Sequence, residues 1–514
     1  MNRLVIIDIV SNNYEEFEKT FTPIGSDTVL ALTPSSFFYL EQKRIQYLSF
    51  HDLISRENFR ELLLDFYDEM FKANKENIYV KSLFREIAQS ISTLYFIEAI
   101  IDHIKTQKYD ELYYITDKQQ GNSLLSNHEY LLDKYIDFTQ IMTIGFTEKR
   151  QNITYSFSTI IEKIYRRIFF HNRNYDWKYI PHTFIHKKIF PKQTHIKIPI
   201  PQAKLKYLKY DELSFHLRDQ NVTIKSLASS LNAEQCINLA EYKKQNYPLY
   251  FFQHGSYFYH LYFKNICNFN LKYFEIDPAD INFVFNDYTK KIFENLNAKR
   301  VYSVGSILFN KPIKEKQKEY DYLYIIQGHD YLGNLQYVDF PNSLHSFDGY
   351  ELYMRHKAII ELFGNKFKDK KILIRAHPAI MTIGLYVPLW ELAEPYPNVT
   401  INASTTVHIL IEKSKYIISD YFTSEFINRE IHYKKDIILF HGAPTPLPEE
   451  TIDDMKKMFI LVETVNDLKE TINSIDVIAH NRIRYDDIIE YYSSKKCDTK
   501  AIVTEILKNE FHGR

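Results

Sequence analysis

Cysteine is scarce in this sequence. The 514 residues include only three cysteines, Cys236, Cys267 and Cys497, and no two of them have the close spacing of zinc ligands. Three cysteines cannot all pair within one chain, so we expect a reducing compartment and no disulfide framework. We also expect neither a metal site nor a bound cofactor.

Long apolar runs and an excess of charge of one sign are missing as well. No apolar run reaches about 18 residues, which argues against a membrane-spanning helix. The apolar stretch at the N-terminus runs into Asp8 and is shorter than a signal peptide requires. Lys and Arg number 64 against 65 Asp and Glu, and this balance argues against a nucleic-acid partner. We therefore expect a cytoplasmic protein.

The short motifs of several enzyme classes are absent too. The sequence has no Gly-x-Gly-x-x-Gly after a strand, no P-loop motif, no His-Glu-x-x-His and no Cys-x-x-Cys. These absences argue against a dinucleotide oxidoreductase, a P-loop NTPase and a zinc enzyme. No Asp-x-Asp stands at a convincing strand end, which argues against a metal-dependent GT-A transferase.

The pattern of the chain predicts an α/β fold. Short apolar segments alternate with amphipathic helical segments, as they do in parallel, doubly wound sheets. In the first half, the strand candidates are Arg3–Asp8, Thr28–Leu32, Arg44–Phe50, Glu111–Asp117, Pro248–Phe252, Ile281–Phe285 and Arg300–Val304. In the second half, they are Tyr322–Gln327, Lys371–Ala376, Asn398–Asn402, Tyr416–Ser419, Asp436–Phe440 and Phe459–Val462.

The length of the chain predicts two domains, because a single core of 514 residues would exceed the usual domain size. We place the boundary within about 270–315, and divide the chain into residues 1–275 and 276–514. We expect two Rossmann-like domains that face each other across a cleft. A final helical segment, at about 483–508, is expected to pack back across the first domain.

One segment of the first domain, at about 160–210, differs in composition from the rest. Between Lys163 and Lys209 it contains twelve Lys or Arg residues and a single acidic residue, Asp176, with aromatic residues interleaved and four prolines that break regular structure. One interpretation is a solvated, irregular insertion. The other is a surface that contacts anionic lipid headgroups or an anionic acceptor through charge and interfacial aromatic residues.

Candidate ligand-binding residues follow the strands of the second half, because open parallel sheets bind ligands at the carboxyl ends of their strands. Arg and His side chains and the starts of helices all bind phosphate, and an acidic side chain such as that of Glu425 accepts hydrogen bonds from ribose hydroxyls. The alternative for each is helix capping or a polar loop. The candidate donor-binding residues are Arg375, His377, Ser404, Thr405, Thr423, Ser424, Glu425, Gln327 and His329.

Two strand ends in the first half carry candidate catalytic residues. His254 follows the strand candidate 248–252 and precedes Gly255, which allows a backbone to approach closely. Asp117 ends the strand candidate 111–117. Either side chain would act as a general base toward an acceptor hydroxyl if its pKa suits the proton transfer.

Three motifs together resemble the C-terminal signature of bacterial GT-B transferases. They are Arg375-Ala-His377-Pro378, Ser404-Thr405-Thr406 and Ser419-Asp-Tyr-Phe-Thr-Ser-Glu425. The group includes glycosyltransferases that use CMP-activated acidic sugars and the CDP-glycerol glycerophosphotransferases. Residues 253–256, Gln-His-Gly-Ser, resemble an element of surface polysaccharide biosynthesis transferases.

The resemblance implies a metal-independent GT-B enzyme. His377, Thr423 and Ser424 would hold the donor phosphate, Glu425 would bind the ribose, and His254 would face the acceptor. The expected reaction is the transfer of a sugar, with a CMP-linked acidic sugar favoured, to lipopolysaccharide, capsule or a lipid-linked glycan at the inner face of the cytoplasmic membrane. The alternatives are a polyol-phosphate transferase of the CDP-glycerol kind and a non-catalytic subunit that binds nucleotide or glycan.

Overall fold

The computed structural model describes the chain in segments, and all structural statements concern these. The described residues are 2–9, 14–55, 57–59, 61–62, 65–66, 69, 84–117, 134–144, 193–199, 206–208, 212–218, 227–228, 250–253, 272, 276–277, 279–306, 317–326, 345–376, 388–405, 407–420, 435–441, 447, 449–481, 486–495 and 497–512. Among them, no helix combines the length and the apolarity needed to cross a bilayer.

The N-terminal part of the chain forms a parallel, four-stranded sheet with the order β2-β1-β3-β4. Its central strand carries a continuous run of fully buried apolar residues, Leu4 to Ile7, as expected for a strand with both faces covered. The elements are β1 (Arg3–Asp8), α1 (Tyr14–Thr20), β2 (Thr28–Ala31), α2 (Pro34–Gln42), α3 (Phe50–Leu53), α4 (Phe84–Gln107), β3 (Glu111–Asp117) and β4 (Gln140–Ile144).

The end of the basic segment is more regular than its composition suggests. It contains β5 (Gln193–Pro199), which pairs antiparallel with β6 (Glu212–Arg218), so the prediction of an irregular segment is wrong for this part. Between the strands, the amides of residues 206–208 donate to the carboxylate of Glu98 on α4, at distances of 2.5 to 3.1 Å. Residues 160–192 lie outside the described residues.

A second parallel sheet of four strands has the order β10-β9-β8-β7. It consists of β7 (Leu227–Ala228), β8 (Tyr250–Phe252), β9 (Ile281–Val284) and β10 (Val301–Ser303), with α5 (Asp287–Asn295) after β9. Asn286 begins α5, because its side chain accepts from the amide of Thr289 at 2.7 Å and satisfies one free donor of the first turn. The predicted boundary at 275/276 separates β8 from β9, which pair in this sheet, so the change of sheet instead falls between Ser303 and Tyr320.

The third sheet has six parallel strands in the order β13-β12-β11-β14-β15-β16. The helices α6 and α10 pack on one face, whereas α8 and α9 pack on the other. The elements are β11 (Tyr320–Ile325), α6 (His345–Asn365), β12 (Ile372–Arg375), α7 (Leu389–Ala393), β13 (Val399–Asn402), α8 (Val407–Lys413), β14 (Ser414–Ser419), β15 (Ile437–Phe440), a 3-10 turn (Glu449–Thr451), α9 (Ile452–Met458), β16 (Ile460–Val462) and α10 (Val465–Asn481).

The C-terminal segment returns to the second sheet, as predicted. It comprises α11 (Asp486–Tyr492) and α12 (Thr499–His512), and Val503 and Leu507 of α12 pack against apolar residues of β9. Gly305, two residues beyond the end of β10, has a φ of +71°, and a Cβ there would lie 2.4 Å from the carbonyl oxygen of Lys495. Only glycine fits this backbone conformation at such a close approach.

The predicted α/β, GT-B-like class is confirmed, since parallel sheets flanked by helices form both halves of the chain. The predicted strand 44–50 is wrong. Arg44 has a positive φ of 56°, and only Leu48 bridges to a neighbouring strand. At Ser49 a capping box with Asp52 starts a short helix instead, because the side chain of Asp52 satisfies the amide of Ser49.

Candidate functional site

The strand order of the six-stranded sheet defines one crevice. The chain moves outward from β11 through β12 to β13, then returns to the other side of β11 at β14. The order therefore reverses between β11 and β14, where doubly wound sheets bind their ligands. The last residues of three adjacent strands, Arg375, Ile325 and Ser419, stand side by side at this edge.

Asp420, directly after β14, is the centre of a buried polar cluster at this crevice. The hydroxyl of Tyr324 on β11 donates to one carboxylate oxygen at 2.6 Å. The Nε2 atom of His356 on α6 lies 2.6 Å from the other oxygen, and the guanidinium of Arg355 lies 3.7 Å from the first. The four residues therefore bring together one carboxylate, one hydroxyl, one imidazole and one guanidinium.

The surroundings of Asp420 stabilise its charged form. Burial by itself would raise the pKa of this carboxyl, but the charges of His356 and Arg355 and the hydrogen bonds to His356 and Tyr324 outweigh it, so the pKa is lowered. Burial and the neighbouring charge of Asp420 raise the pKa of Tyr324 well above its ordinary value, so this hydroxyl remains a donor. The segment that begins at Asp420 is thus anchored by a charged, fully buried side chain.

The helix α6 positions two members of the cluster. Its apolar residues, including Ile359, Ile360 and Phe363, are buried on the sheet, and the guanidinium of Arg355 stacks 4.8 Å from the ring of Phe440 at the end of β15. Stacking on an aromatic ring suits the planar, weakly hydrated guanidinium group.

The same helix contacts the N-terminal sheet unit. The hydroxyl of Tyr353 and the ammonium of Lys357 both donate to the carboxylate of Glu41 on α2, at 2.7 and 2.8 Å. Tyr353 and Lys357 are four residues apart, so they lie on one face of α6. One helix thus contacts both the Asp420 cluster and the first part of the chain.

Arg375 lies where the sequence predicted it, as the last residue of β12. Its side chain is 95% buried. Because side chains alternate along a strand, Arg375 points to the face of Leu373, whereas Asp420 lies on the face of Ile418. The crevice therefore has a cationic side chain on one face of the sheet and the Asp420 cluster on the other.

Ser404 and Thr405 form a turn between β13 and α8. The side-chain oxygen of Asn402 accepts from the amide of Ser404 at 3.2 Å and from that of Thr405 at 2.9 Å. The amide group of Asn402 also donates to the hydroxyl of Thr405 at 3.0 Å. Asn402 therefore satisfies two amides that the sequence pattern offered to a donor phosphate, and the donor-binding role of these two residues remains a prediction.

The remaining predicted site residues are described little or not at all. Asp117 is the last residue of β3. On the neighbouring strand β1, the buried Asp8 pairs with Thr116 and accepts a hydrogen bond from the hydroxyl of Tyr114 at 3.0 Å, at the point where the strand order of the first sheet reverses. Outside the described residues lie His254, His377, Thr423, Ser424, Glu425, Gln327 and His329.

His441 lies at the same edge of the six-stranded sheet, directly after β15, and was not predicted. Its Nε2 atom is 3.3 Å from the carboxylate of Glu463, which follows β16. Burial lowers the pKa of His441, although the charge of Glu463 acts in the opposite direction. Across the segments described by the structure, no three His, Cys, Asp or Glu side chains come together as a group that would hold a metal ion.

Sequence comparisons do not assign the chain to a family. No protein-family model matches it. A search of curated proteins finds no match either.

Several solved structures are similar to this chain. The UDP-GlcNAc 2-epimerase of Methanocaldococcus jannaschii, in complex with UDP-GlcNAc and UDP, is 11% identical over 99% of this chain and 100% of its own, with a TM-score of 0.34. MnaA of S. aureus with UDP is 10% identical over 83% of this chain and 95% of its own, with a TM-score of 0.38. CalG4, the calicheamicin glycosyltransferase, is 10% identical over 99% of this chain and 98% of its own, with a TM-score of 0.30. Similarity at this level is no evidence for a particular activity.

Proposed function

We propose that this protein is a glycosyltransferase with a nucleotide-activated sugar as donor. The observation that carries the proposal is the buried Asp420 cluster at the reversal point of the six-stranded sheet. A buried, charged carboxylate is costly unless its partners fix it, and such clusters concentrate at functional sites. Here the cluster fixes the first residue of the segment 420–425, which contains the proposed phosphate- and ribose-binding residues.

The donor phosphate is proposed to lie over the crevice between β11 and β14. Arg375 stands at the carboxyl end of the adjacent strand and His377 follows it in sequence, so the phosphate would meet cationic donors from that side. Thr423 and Ser424 would add hydroxyl and amide donors, Gln327 and His329 would follow β11, and Glu425 would bind the ribose. A CMP-linked acidic sugar is the favoured donor.

The reaction proposed for this site is a displacement at the anomeric carbon. A base takes the proton of the acceptor hydroxyl, the hydroxyl oxygen bonds to the anomeric carbon, and the bond from that carbon to the phosphate oxygen breaks. The nucleotide leaves with the negative charge, which Arg375 and His377 would stabilise without a metal ion. His254 and Asp117 are the proposed bases.

The proposed acceptor is a bacterial surface glycan such as lipopolysaccharide or capsule, or its lipid-linked precursor. The basic and aromatic composition of residues 163–209 supports contact with an anionic membrane surface. The enzyme would therefore work in the cytoplasm, at the inner face of the membrane.

The test is a thermal-shift screen with CMP, CDP, UMP, UDP, GDP and ADP. A ligand that binds only the folded protein at about 100 times its Kd stabilises it by about 2.7 kcal/mol. We expect a nucleotide to raise the Tm of the wild type but not that of His377→Ala. Lys371→Ala, a change of an exposed cation at the amino end of β12, is the matched control and should keep the full shift.

The outcomes separate the candidate functions. A nucleotide-dependent shift without turnover of any sugar donor would favour a non-catalytic subunit. Turnover of CDP-glycerol in place of a nucleotide sugar would favour a polyol-phosphate transferase. No shift with any of the six nucleotides would overturn the proposal.

A further inference from the structure

His441 and Glu463 form a pair at the carboxyl edge of the six-stranded sheet that the proposed chemistry does not use. The register of β14 and β15 pairs Ser419 with Leu439, so Asp420 and Phe440 come next to each other. His441 follows one residue later. His441 therefore follows the strand next to β14, one strand beyond the crevice between β11 and β14. Along the strand order, Arg375 at the end of β12 lies on the other side of this crevice.

The backbone around this pair is held by hydrogen bonds. The amide of His441 donates to the carbonyl of Val462 at 2.9 Å. The amides of Glu463 and Thr464 donate to the carboxylate of Asp467 at 3.2 and 2.9 Å, which caps the start of α10. Both residues of the pair are thus fixed at the ends of neighbouring strands, although the Glu463 side chain is largely exposed.

The position of the carboxylate favours a proton on one nitrogen of the ring. A carboxylate only accepts hydrogen bonds, and Glu463 faces Nε2 at 3.3 Å, so the proton is favoured on Nε2. Burial lowers the pKa of His441, which favours the neutral ring. The Nδ1 atom of a neutral ring with this tautomer is an acceptor.

An acceptor at this position distinguishes nucleobases. Cytosine and adenine carry an exocyclic amino group, which donates hydrogen bonds. At the same position thymine carries a carbonyl oxygen, which accepts them, and uracil presents the same edge as thymine. With the phosphate held from the side of β12, the nucleoside would extend over β15 toward His441. A base with an amino group satisfies Nδ1, whereas a carbonyl oxygen there is left facing a second acceptor.

We propose that His441, oriented by Glu463, recognises the exocyclic amino group of the donor nucleobase and selects cytidine over uridine nucleotides. The inference rests on the proposed function, because it assumes that the donor nucleotide binds at this edge. His441 is the residue in contact with the base, and Glu463 acts through it as a positioning residue.

The experiment compares the Kd of CDP with that of UDP by calorimetry at pH 8, on the full chain. We expect the wild type to bind CDP about tenfold more tightly, a difference typical of one hydrogen bond. His441→Ala should abolish this preference, because CDP loses a hydrogen bond whereas UDP loses only an unfavourable contact between two acceptors. Glu463→Gln should reduce the preference, because the amide no longer fixes the tautomer of the ring.

A histidine outside this edge is the matched control. His480 is exposed and lies at the far end of α10, so His480→Ala should keep the full preference for CDP. Equal weakening of CDP and UDP in His441→Ala would indicate a structural role and overturn the inference. A wild type that prefers UDP overturns the inference but leaves the proposed function intact, whereas a wild type that binds neither nucleotide overturns both.

Discussion

The two ends of β14 carry similar residues in very different surroundings. At the amino end, Asp476 of α10 accepts from the hydroxyl of Tyr416 at 2.6 Å and from the ammonium of Lys415 at 2.7 Å. At the carboxyl end, Asp420 accepts from the hydroxyl of Tyr324 at 2.6 Å and lies near Arg355. The Asp476 side chain is 72% exposed, whereas that of Asp420 is fully buried.

This difference in burial distinguishes the surface contact of Asp476 from the buried Asp420 cluster of the candidate site. An exposed ion pair is screened by water and contributes little, so its residues can change freely. A buried carboxylate loses its hydration and depends on its partners, so a change at one partner affects the others. The same residue types therefore point to the candidate site only where the strand order reverses and the cluster is buried.

The largest expected effect is that of Asp420→Ala. Removal of this carboxylate takes the negative charge of Asp420 away from the buried guanidinium of Arg355. Breaking a buried charged pair costs about 3–5 kcal/mol. Urea denaturation should show this loss in the free energy of unfolding. A loss below about 1 kcal/mol would mean that the two ends of β14 are equivalent.

The two tyrosines give a second, smaller contrast. Tyr324→Phe removes a hydrogen bond to a buried charge and should cost about 1.5–3 kcal/mol. Tyr416→Phe removes a bond of nearly equal length to an exposed carboxylate and should cost less than about 1 kcal/mol. The same denaturation measurement compares them, and equal losses would contradict the distinction by burial.

Acid should reveal the buried end through the pH dependence of stability. Because the pKa of Asp420 is lower in the folded state than its ordinary value of 3.8, its charge stabilises the fold above that value. This contribution is lost as the pH falls through the folded pKa. Between pH 5 and pH 2, the unfolding free energy of Asp420→Asn should therefore fall less steeply than that of the wild type. Parallel curves would contradict the assignment.

The smallest effect is expected at the exposed end. Asp476→Asn should cost about 1 kcal/mol or less, and 1 M salt should remove most of the difference because exposed charges are screened. The destabilisation by Asp420→Ala should change little with salt. Measurement of both variants at low and high salt tests this directly, and a salt-independent effect of Asp476→Asn would weaken the comparison.

Most strands could be predicted because their signal is local. Both Arg3–Asp8 and Glu111–Asp117 were predicted with the bounds that the structure shows, since a continuous apolar run between polar turns is typical of a buried parallel strand. The same kind of local signal gave a wrong strand at 44–50. There the capping box of Ser49 and Asp52 determines the local structure and starts a short helix.

The site was only partly predictable. Asp420 and Arg375 stand at strand ends, where the alternating pattern of the sequence predicts ligand-binding residues. His356 is 64 residues from Asp420, inside a helix without an unusual composition, so only the packing of α6 on the sheet brings them together. His441 follows a strand too, but its partner Glu463 follows the next strand, and no local pattern connects the two.

The contacts of α6 limit how the two halves of this protein can be recombined. Glu41 binds Tyr353 and Lys357, while the neighbouring residues of the same helix hold Asp420. A chimera that takes its second half from another α/β protein would leave Glu41 facing a foreign helix. Such a chimera should therefore retain α6 and replace only the segments that follow the strands, so that the contacts of Glu41 and of Asp420 are both kept.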